Sequence, residues 1–237
     1  MSKPGKLYLI PNVIADASQD YVIPAQVKES LRSITHFVVE DVRTARRYLS
    51  SLKIFNSIEA LHFQVLNKDT KEQELAELLK PLNEGHDIGV ISESGCPGVA
   101  DPGALAVNYA HQHNIQVIPL VGPSSILLAL MASGLNGQKF AFHGYLPIDG
   151  NEVSKAIKAL ESESRTKNQT QIFIETPYRN NSLLDHLIKH LHPNTKLSIA
   201  IDITGTTESI QTKEIKVWAV NKPSLAKTPA VFSFLAQ

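Results

Sequence analysis

The sequence predicts an α/β protein made of two successive lobes, and three observations predict it. Short apolar runs alternate with helix-period patterns along nearly all of the 237 residues, the signature of βα units around a largely parallel sheet. The alternation breaks at Val121-Gly122-Pro123-Ser124-Ser125 and then resumes; Gly-Pro is both a chain breaker and a lead into a helix. The run 91–103, which leaves one apolar segment, holds three glycines and two prolines in thirteen residues, more than a plain connection needs. A chain of this length buries a substantial core as one large domain or two small ones. The break divides it into an N-terminal lobe over 1–121 and a C-terminal lobe over 122–237.

In the first lobe, residues 7–10, 37–39, 88–91 and 115–120 are short, largely apolar runs and read as buried strands. Asp41 opens a helix that turns Ala45, Tyr48, Leu49 and Leu52 inward and Arg46 and Arg47 outward. Thr70, with Gln73 three residues on, is placed as the cap of a helix presenting Leu75, Leu78, Leu79 and Leu82 on one face, with Pro81 near its end. Asp101 followed by Pro102 opens another, with the aspartate as cap and Leu105, Tyr109 and Ala110 inward. His111 and His113 fall at its exposed end. In the second lobe a helix starts near Ser124, strands fall near 140–143, 171–174, 196–201 and 230–234, and a helix after Thr176-Pro177 turns Leu183, Leu184, Leu187, Ile188 and Leu191 inward.

Composition removes several classes of function. Twenty-three basic and twenty-three acidic side chains give zero formal net charge, so an RNA partner has to be held by a local basic patch. The single cysteine, Cys96, excludes an internal disulfide or a multi-cysteine metal site. No apolar run is long enough to cross a bilayer, and no h-region follows the N-terminal Met-Ser-Lys-Pro-Gly-Lys. A cytoplasmic location is the expectation. Neither G-x-G-x-x-G nor G-x-x-x-x-G-K-[ST] follows any strand, which leaves out the usual dinucleotide and nucleoside-triphosphate cradles.

Ligands of open α/β sheets collect beyond the carboxyl ends of strands, and the run 91–103 is the richest such point. Its glycines let main chain approach a ligand closely. Cys96 lies in it, either as a nucleophile, if a histidine activates it, or as a small side chain lining a pocket. Glu40-Asp41-Val42-Arg43-Thr44 ends one strand. Its carboxylates and Arg43 serve either as helix cap and solvated face or to orient a hydroxyl and hold a phosphate. His186 and His190 stand i, i+4, as a zinc pair or, lacking the glutamate of H-E-x-x-H, as a solvated helix face.

Five segments, in order and through almost the whole chain, carry a family resemblance: 7–11 at the first strand; 39–44; 94–103; 121–125 with 132–135; and 173–179. Together they resemble the tetrapyrrole methylase superfamily, and within it the branch of small-subunit ribosomal RNA cytidine 2′-O-methyltransferases. The resemblance implies two α/β lobes, with a mostly parallel N-terminal sheet and a mixed C-terminal one. It also implies a homodimer, and S-adenosylmethionine in a cleft between the lobes, contacted largely by backbone. Carried over by position, the cofactor contacts are Pro11, then Ser94, Gly95, Cys96 and Val99, then Ser125 with Ile126, and from the second lobe Glu175, Gly205 and Pro229 with Ala230.

The implied reaction is methyl transfer to a ribose hydroxyl of small-subunit ribosomal RNA. Direct displacement calls for no metal, and in-line positioning supplies about 7–11 kcal/mol. Glu40, Asp41 and Asp101 are the candidate bases, the cap role competing for Asp101. Arg43, with Arg46 and Arg47 beside it, is the candidate phosphate contact. The chain departs from the branch's usual pattern in carrying Asn12-Val13-Ile14-Ala15-Asp16 in place of a Pro-Ile-Gly-Asn-like stretch. It likewise carries Ile201-Asp202-Ile203-Thr204-Gly205 in place of an arginine-containing one. A tetrapyrrole or other small molecule is the alternative acceptor, and a non-catalytic cofactor-binding protein the alternative class.

Overall fold

The computed structural model describes residues 3–225 and 227–237. The chain divides into two compact units, Met1–Ser124 and Ser125–Gln237. Among the described residues, the first unit holds β1 (Leu7–Ile10), α1 (Gln19–Val22), α2 (Ala25–Leu31), β2 (His36–Val39), α3 (Val42–Ser51), β3 (His62–Val65), α4 (Leu75–Leu78), α5 (Lys80–Asn83), β4 (Ile88–Ile91), α6 (Gly103–Gln112) and β5 (Val117–Pro119). The second holds α7 (Ser125–Ser133), β6 (Phe140–Tyr145), α8 (Gly150–Lys167), β7 (Thr170–Glu175), α9 (Asn180–His190), β8 (Lys196–Ile201), β9 (Ser209–Glu214), α10 (Ile215–Val220) and β10 (Ala230–Leu235).

The first sheet is parallel throughout, in the order β3-β2-β4-β1-β5. Its middle strands are apolar because helices cover both faces: all four residues of β4 are buried. Two apolar clusters result, one around Leu31, Phe37 and Leu49 and one around Leu7, Leu79 and Ile88. The chain leaves β1 toward β2 and leaves β4 toward β5, although β1 and β4 are neighbours. Connections therefore diverge outside the carboxyl ends of these two strands, which is where such sheets open a crevice. The second sheet is mixed, β6-β7-β10-β8-β9, with β6 parallel to β7 and the other pairs antiparallel. Phe173 and Phe232 stack in its core, with ring centroids 5.9 Å apart. Both sheets have the predicted character.

Several local expectations are corrected. Thr70 caps no helix: its Oγ1 accepts from the Asn67 backbone N–H at 3.0 Å and closes a turn. The leucine stripe after it breaks into a 3-10 turn over Glu72–Glu74, α4 and α5, because Pro81 cannot donate a helical hydrogen bond. The strand expected over 115–120 shortens to β5. Leu105 lies at the surface, 36% exposed, and Ala106 takes the inward position. The edge strands β3 and β9 and the long helix α8 carried no signal strong enough to place them. No helix among the described residues is long and apolar enough to cross a membrane.

Candidate active site

The loops leaving β1 and β4 are sewn together. Asn12, 2% exposed, donates from Nδ2 to the carbonyls of Ser92 and Glu93, both at 3.0 Å, while its Oδ1 accepts from the Val13 N–H. Its backbone N–H donates to the Gly95 carbonyl at 2.8 Å. The glycine-rich run thereby becomes a fixed surface at the crevice. Gly95 (φ +69°) and Gly98 (φ +82°) sit in the left-handed region that glycine adopts freely. Gly122 is required for close approach: a Cβ there would stand 2.0 Å from the Cβ of Pro11.

Asp101 holds the far end of the run. Its Oδ1 accepts from the Gly98 N–H at 2.9 Å and the Gly103 N–H at 2.6 Å, so it clamps the entry to α6 from just outside the helix. Its Oδ2 is buried without a partner, and burial raises its pKa against the pull of those two N–H groups. Glu40, at the end of β2, has its pKa raised by burial first and then by the charges of Glu93 and Asp101. Glu40 and Asp101 line one cavity of about 10 Å³ with Ser92 and Gly103, room for about one water. Asp41 is different: its side chain accepts from the Thr44 N–H at 2.7 Å as the N-cap of α3, and that bond lowers its pKa. As a free proton acceptor it is the weakest of the three.

Cys96 faces main chain, its Sγ donating to the Pro123 carbonyl at 3.3 Å. Burial, then the charge of Asp101, pushes its thiol up. A protonated thiol without a base is a poor nucleophile, so Cys96→Ser is expected to leave kcat within about threefold of wild type, less than 1 kcal/mol of barrier; steady-state kinetics check this. Ser94 is exposed and its Oγ donates to the Val13 carbonyl, and Val99 is 49% exposed. Of the three arginines, Arg43 lies beside Asp41, Arg46 packs over the Phe63 ring at 5.2 Å, and Arg47 contacts Asp16 at 3.6 Å.

In the second unit the carried-over residues meet at one end of its sheet. Ala230, first in β10, is in register with Glu175, last in β7, and with Ile201, last in β8. The Asp202 N–H donates to the Pro229 carbonyl, and Gly205 closes the turn after β8, where a Cβ would stand 2.2 Å from the Asp202 carboxylate. Asp202 and Thr204 both take positive φ there. Glu175 is 4% exposed and pairs with Arg179 at 2.9 Å, so its charge is already neutralised. Ser125 and Ile126 open α7. His186 and His190 stack on each other on α9, centroids 5.9 Å apart.

Proteins named ribosomal RNA small subunit methyltransferase I are similar to this chain along both units. That of Escherichia coli is 32% identical over 207 residues, covering 87% of this chain and 68% of its own. That of Haemophilus influenzae is 30% identical over 227 residues, covering 94% and 76%. The chain belongs to the ribosomal RNA small subunit methyltransferase I family. No family model matches it. Solved structures resemble its fold at low identity: the methyltransferase CobJ, with a TM-score of 0.62 and 17% identity over 98% of this chain and 94% of that one, and uroporphyrin-III-C-methyltransferase from Thermus thermophilus, with 0.57 and 16% over 98% and 92%.

Members of the small subunit methyltransferase I family are methyltransferases, and the methyl donor is S-adenosylmethionine. The residues at the crevice suit that donor. Its sulfonium is a cation, and Glu40, Glu93 and Asp101 concentrate negative charge there; its adenosine and methionine parts are polar at many points, and glycine-rich main chain presents carbonyls and N–H groups to such a ligand. When bound, it supplies an electrophilic methyl group on a good leaving group, with no metal required.

Proposed function

We propose that this chain methylates the 2′-hydroxyl of a ribose in small-subunit ribosomal RNA. The supporting observation is family membership carried along both units, joined to a half-buried carboxylate with a raised pKa at the crevice. Glu40 is the residue that takes the hydroxyl proton: it ends β2, and burial plus two neighbouring carboxylates raise its pKa, which makes its carboxylate a stronger base than an ordinary one. Asp101 is the positioning residue that fixes the loop. Pro11, Ser94, Gly95, Cys96 and Val99 are the proposed cofactor contacts of the first unit, and Ser125, Ile126, Glu175, Gly205, Pro229 and Ala230 those of the second.

Arg43 is the outer phosphate contact. Arg43→Ala is expected to weaken binding of a small-subunit ribosomal RNA fragment and to flatten the log–log salt slope by about 0.7–0.9, one counterion, while S-adenosylmethionine affinity is unchanged. Titration at two salt concentrations measures both. Weak binding that is equal in both proteins and insensitive to salt favours the second reading, a tetrapyrrole or other small-molecule acceptor, which the fold neighbours support. We also propose a cytoplasmic homodimer, in which exposed Met131, Tyr145 and Ile148 of the second unit (78%, 60% and 79%) supply apolar surface for a partner copy. Sedimentation at micromolar concentration checks this.

Replacing Asp101 by alanine removes the acceptor of two backbone N–H groups. Charge-assisted bonds of this kind contribute about 1.5–3 kcal/mol each, so the melting temperature should fall measurably and cofactor binding should weaken with it. Asp101→Asn keeps one oxygen and should keep most of both.

A further inference from the structure

We infer that the cavity beyond β1 is the pocket for one nucleoside unit of the acceptor strand, and that Arg47 exchanges Asp16 for the phosphodiester of that unit. The inference rests on the RNA reading above and names where the RNA is gripped. The cavity has a volume of about 300 Å³ and lies between the segment 12–19 and the face of α3, with Glu93 at its edge. It therefore opens at the same carboxyl end of the sheet as the glycine-rich loop, and Glu93 is common to both, since its charge acts on Glu40.

Its walls are set before any ligand arrives. Asn12 is locked by three hydrogen bonds to the neighbouring loop and its own chain. Tyr48, 4% exposed, donates its hydroxyl to the Pro11 carbonyl at 2.7 Å, and Ser51 donates to the Tyr48 carbonyl. Preformed pockets of this size hold small ligands. One nucleoside fits a pocket of this size.

The charges define the ligand further. Asp16 and Glu93 are exposed carboxylates, acceptors suited to the amino and hydroxyl donors of a nucleoside. Arg47 is the single cation of the lining. Two negative charges against one positive disfavour a free nucleotide with a doubly charged terminal phosphate, whereas an internal phosphodiester carries one charge and one guanidinium matches it. The Arg47–Asp16 contact, 3.6 Å long with side chains 71% and 87% exposed, holds the guanidinium weakly. A phosphate presented at the mouth takes it over by bidentate hydrogen bonding.

The test uses the full chain, S-adenosylmethionine and small-subunit ribosomal RNA, with steady-state methylation, RNA titration at two salt concentrations and calorimetry of the cofactor. Arg47→Ala should raise the RNA KM by about tenfold, the loss of one charge-assisted contact, and flatten the salt slope by about one counterion. Asp16→Asn, which removes the competing carboxylate, should lower KM. Ile14→Trp, which fills the cavity, should abolish methylation, and cofactor affinity should stay at the wild-type value in all three. Wild-type RNA kinetics in both Arg47→Ala and Ile14→Trp would overturn the pocket while leaving the RNA reading intact. A wild-type protein that neither binds nor methylates RNA would overturn that reading and the pocket with it.

Discussion

Glu40→Gln is expected to lower kcat by about 10²- to 10⁴-fold, the usual worth of a positioned general base, with S-adenosylmethionine affinity and melting temperature near wild type. Glutamine keeps the shape and the hydrogen bond from the Glu93 backbone N–H while removing the proton acceptor. The pH profile provides a second readout. Glu40 must be ionised to accept a proton, so activity should fall as pH falls. Because burial, then Glu93 and Asp101, raise its pKa, that fall should begin above the ordinary carboxylate range. The variant should lose this limb of the profile. A Glu40→Gln enzyme within about threefold of wild-type kcat, or one that keeps the acid limb, would remove Glu40 from the chemistry and pass the role to Asp101.

Gly95→Val should abolish cofactor binding and leave the fold largely intact. The cause is conformational rather than steric: a Cβ on residue 95 would stand 3.6 Å from the Pro123 carbonyl oxygen, an ordinary contact, but the backbone there has φ +69°, which a β-branched residue enters at a cost of about 1–3 kcal/mol. The loop relieves that strain by moving, and the Asn12 N–H bond to the Gly95 carbonyl goes with it. Calorimetry with S-adenosylmethionine and a thermal melt separate the effects. Binding retained within a few-fold in Gly95→Val would show that the loop's main chain does not hold the cofactor.

The inner strands were legible because a short, largely apolar run has few other places to go: β1, β4 and β8 fall on the residues expected of them. The edge strands were not. In β3 and β9 one side of the ladder meets solvent, so His62-Phe63-Gln64-Val65 and the largely polar run 209–214 need little apolar character, and polar alternation over four residues is no signal. Pairing with β2 and β8 makes them strands. The Leu105 error has a related cause: helical periodicity fixes a face only to within one position, and the small side chain of Ala106 lets α6 lie close to the sheet.

At the site, sequence reading reached residue types and loops but not their partners. Asp41 as cap was readable from Thr44 three residues on, a local bond. The clamp of Asp101 on both Gly98 and Gly103 was half readable, because one of its two donors precedes it. The role of Asn12, which joins loops about eighty residues apart, was not readable, because an asparagine after a strand ordinarily means only a turn. Separation along the chain likewise hides the charge of Glu93 and Asp101 on Glu40, and it is that charge which separates Glu40 from Asp41.

Methyl transfer from S-adenosylmethionine to ribosomal RNA can be measured directly. The most direct measurement incubates the purified chain with methyl-deuterated S-adenosylmethionine and undermethylated small ribosomal subunits, then digests the RNA to nucleosides for mass spectrometry. A single labelled 2′-O-methylnucleoside from the small-subunit RNA is expected, absent when Glu40→Gln replaces the wild type. Label in no nucleoside, from a protein that binds the cofactor and consumes it on a tetrapyrrole, would contradict it.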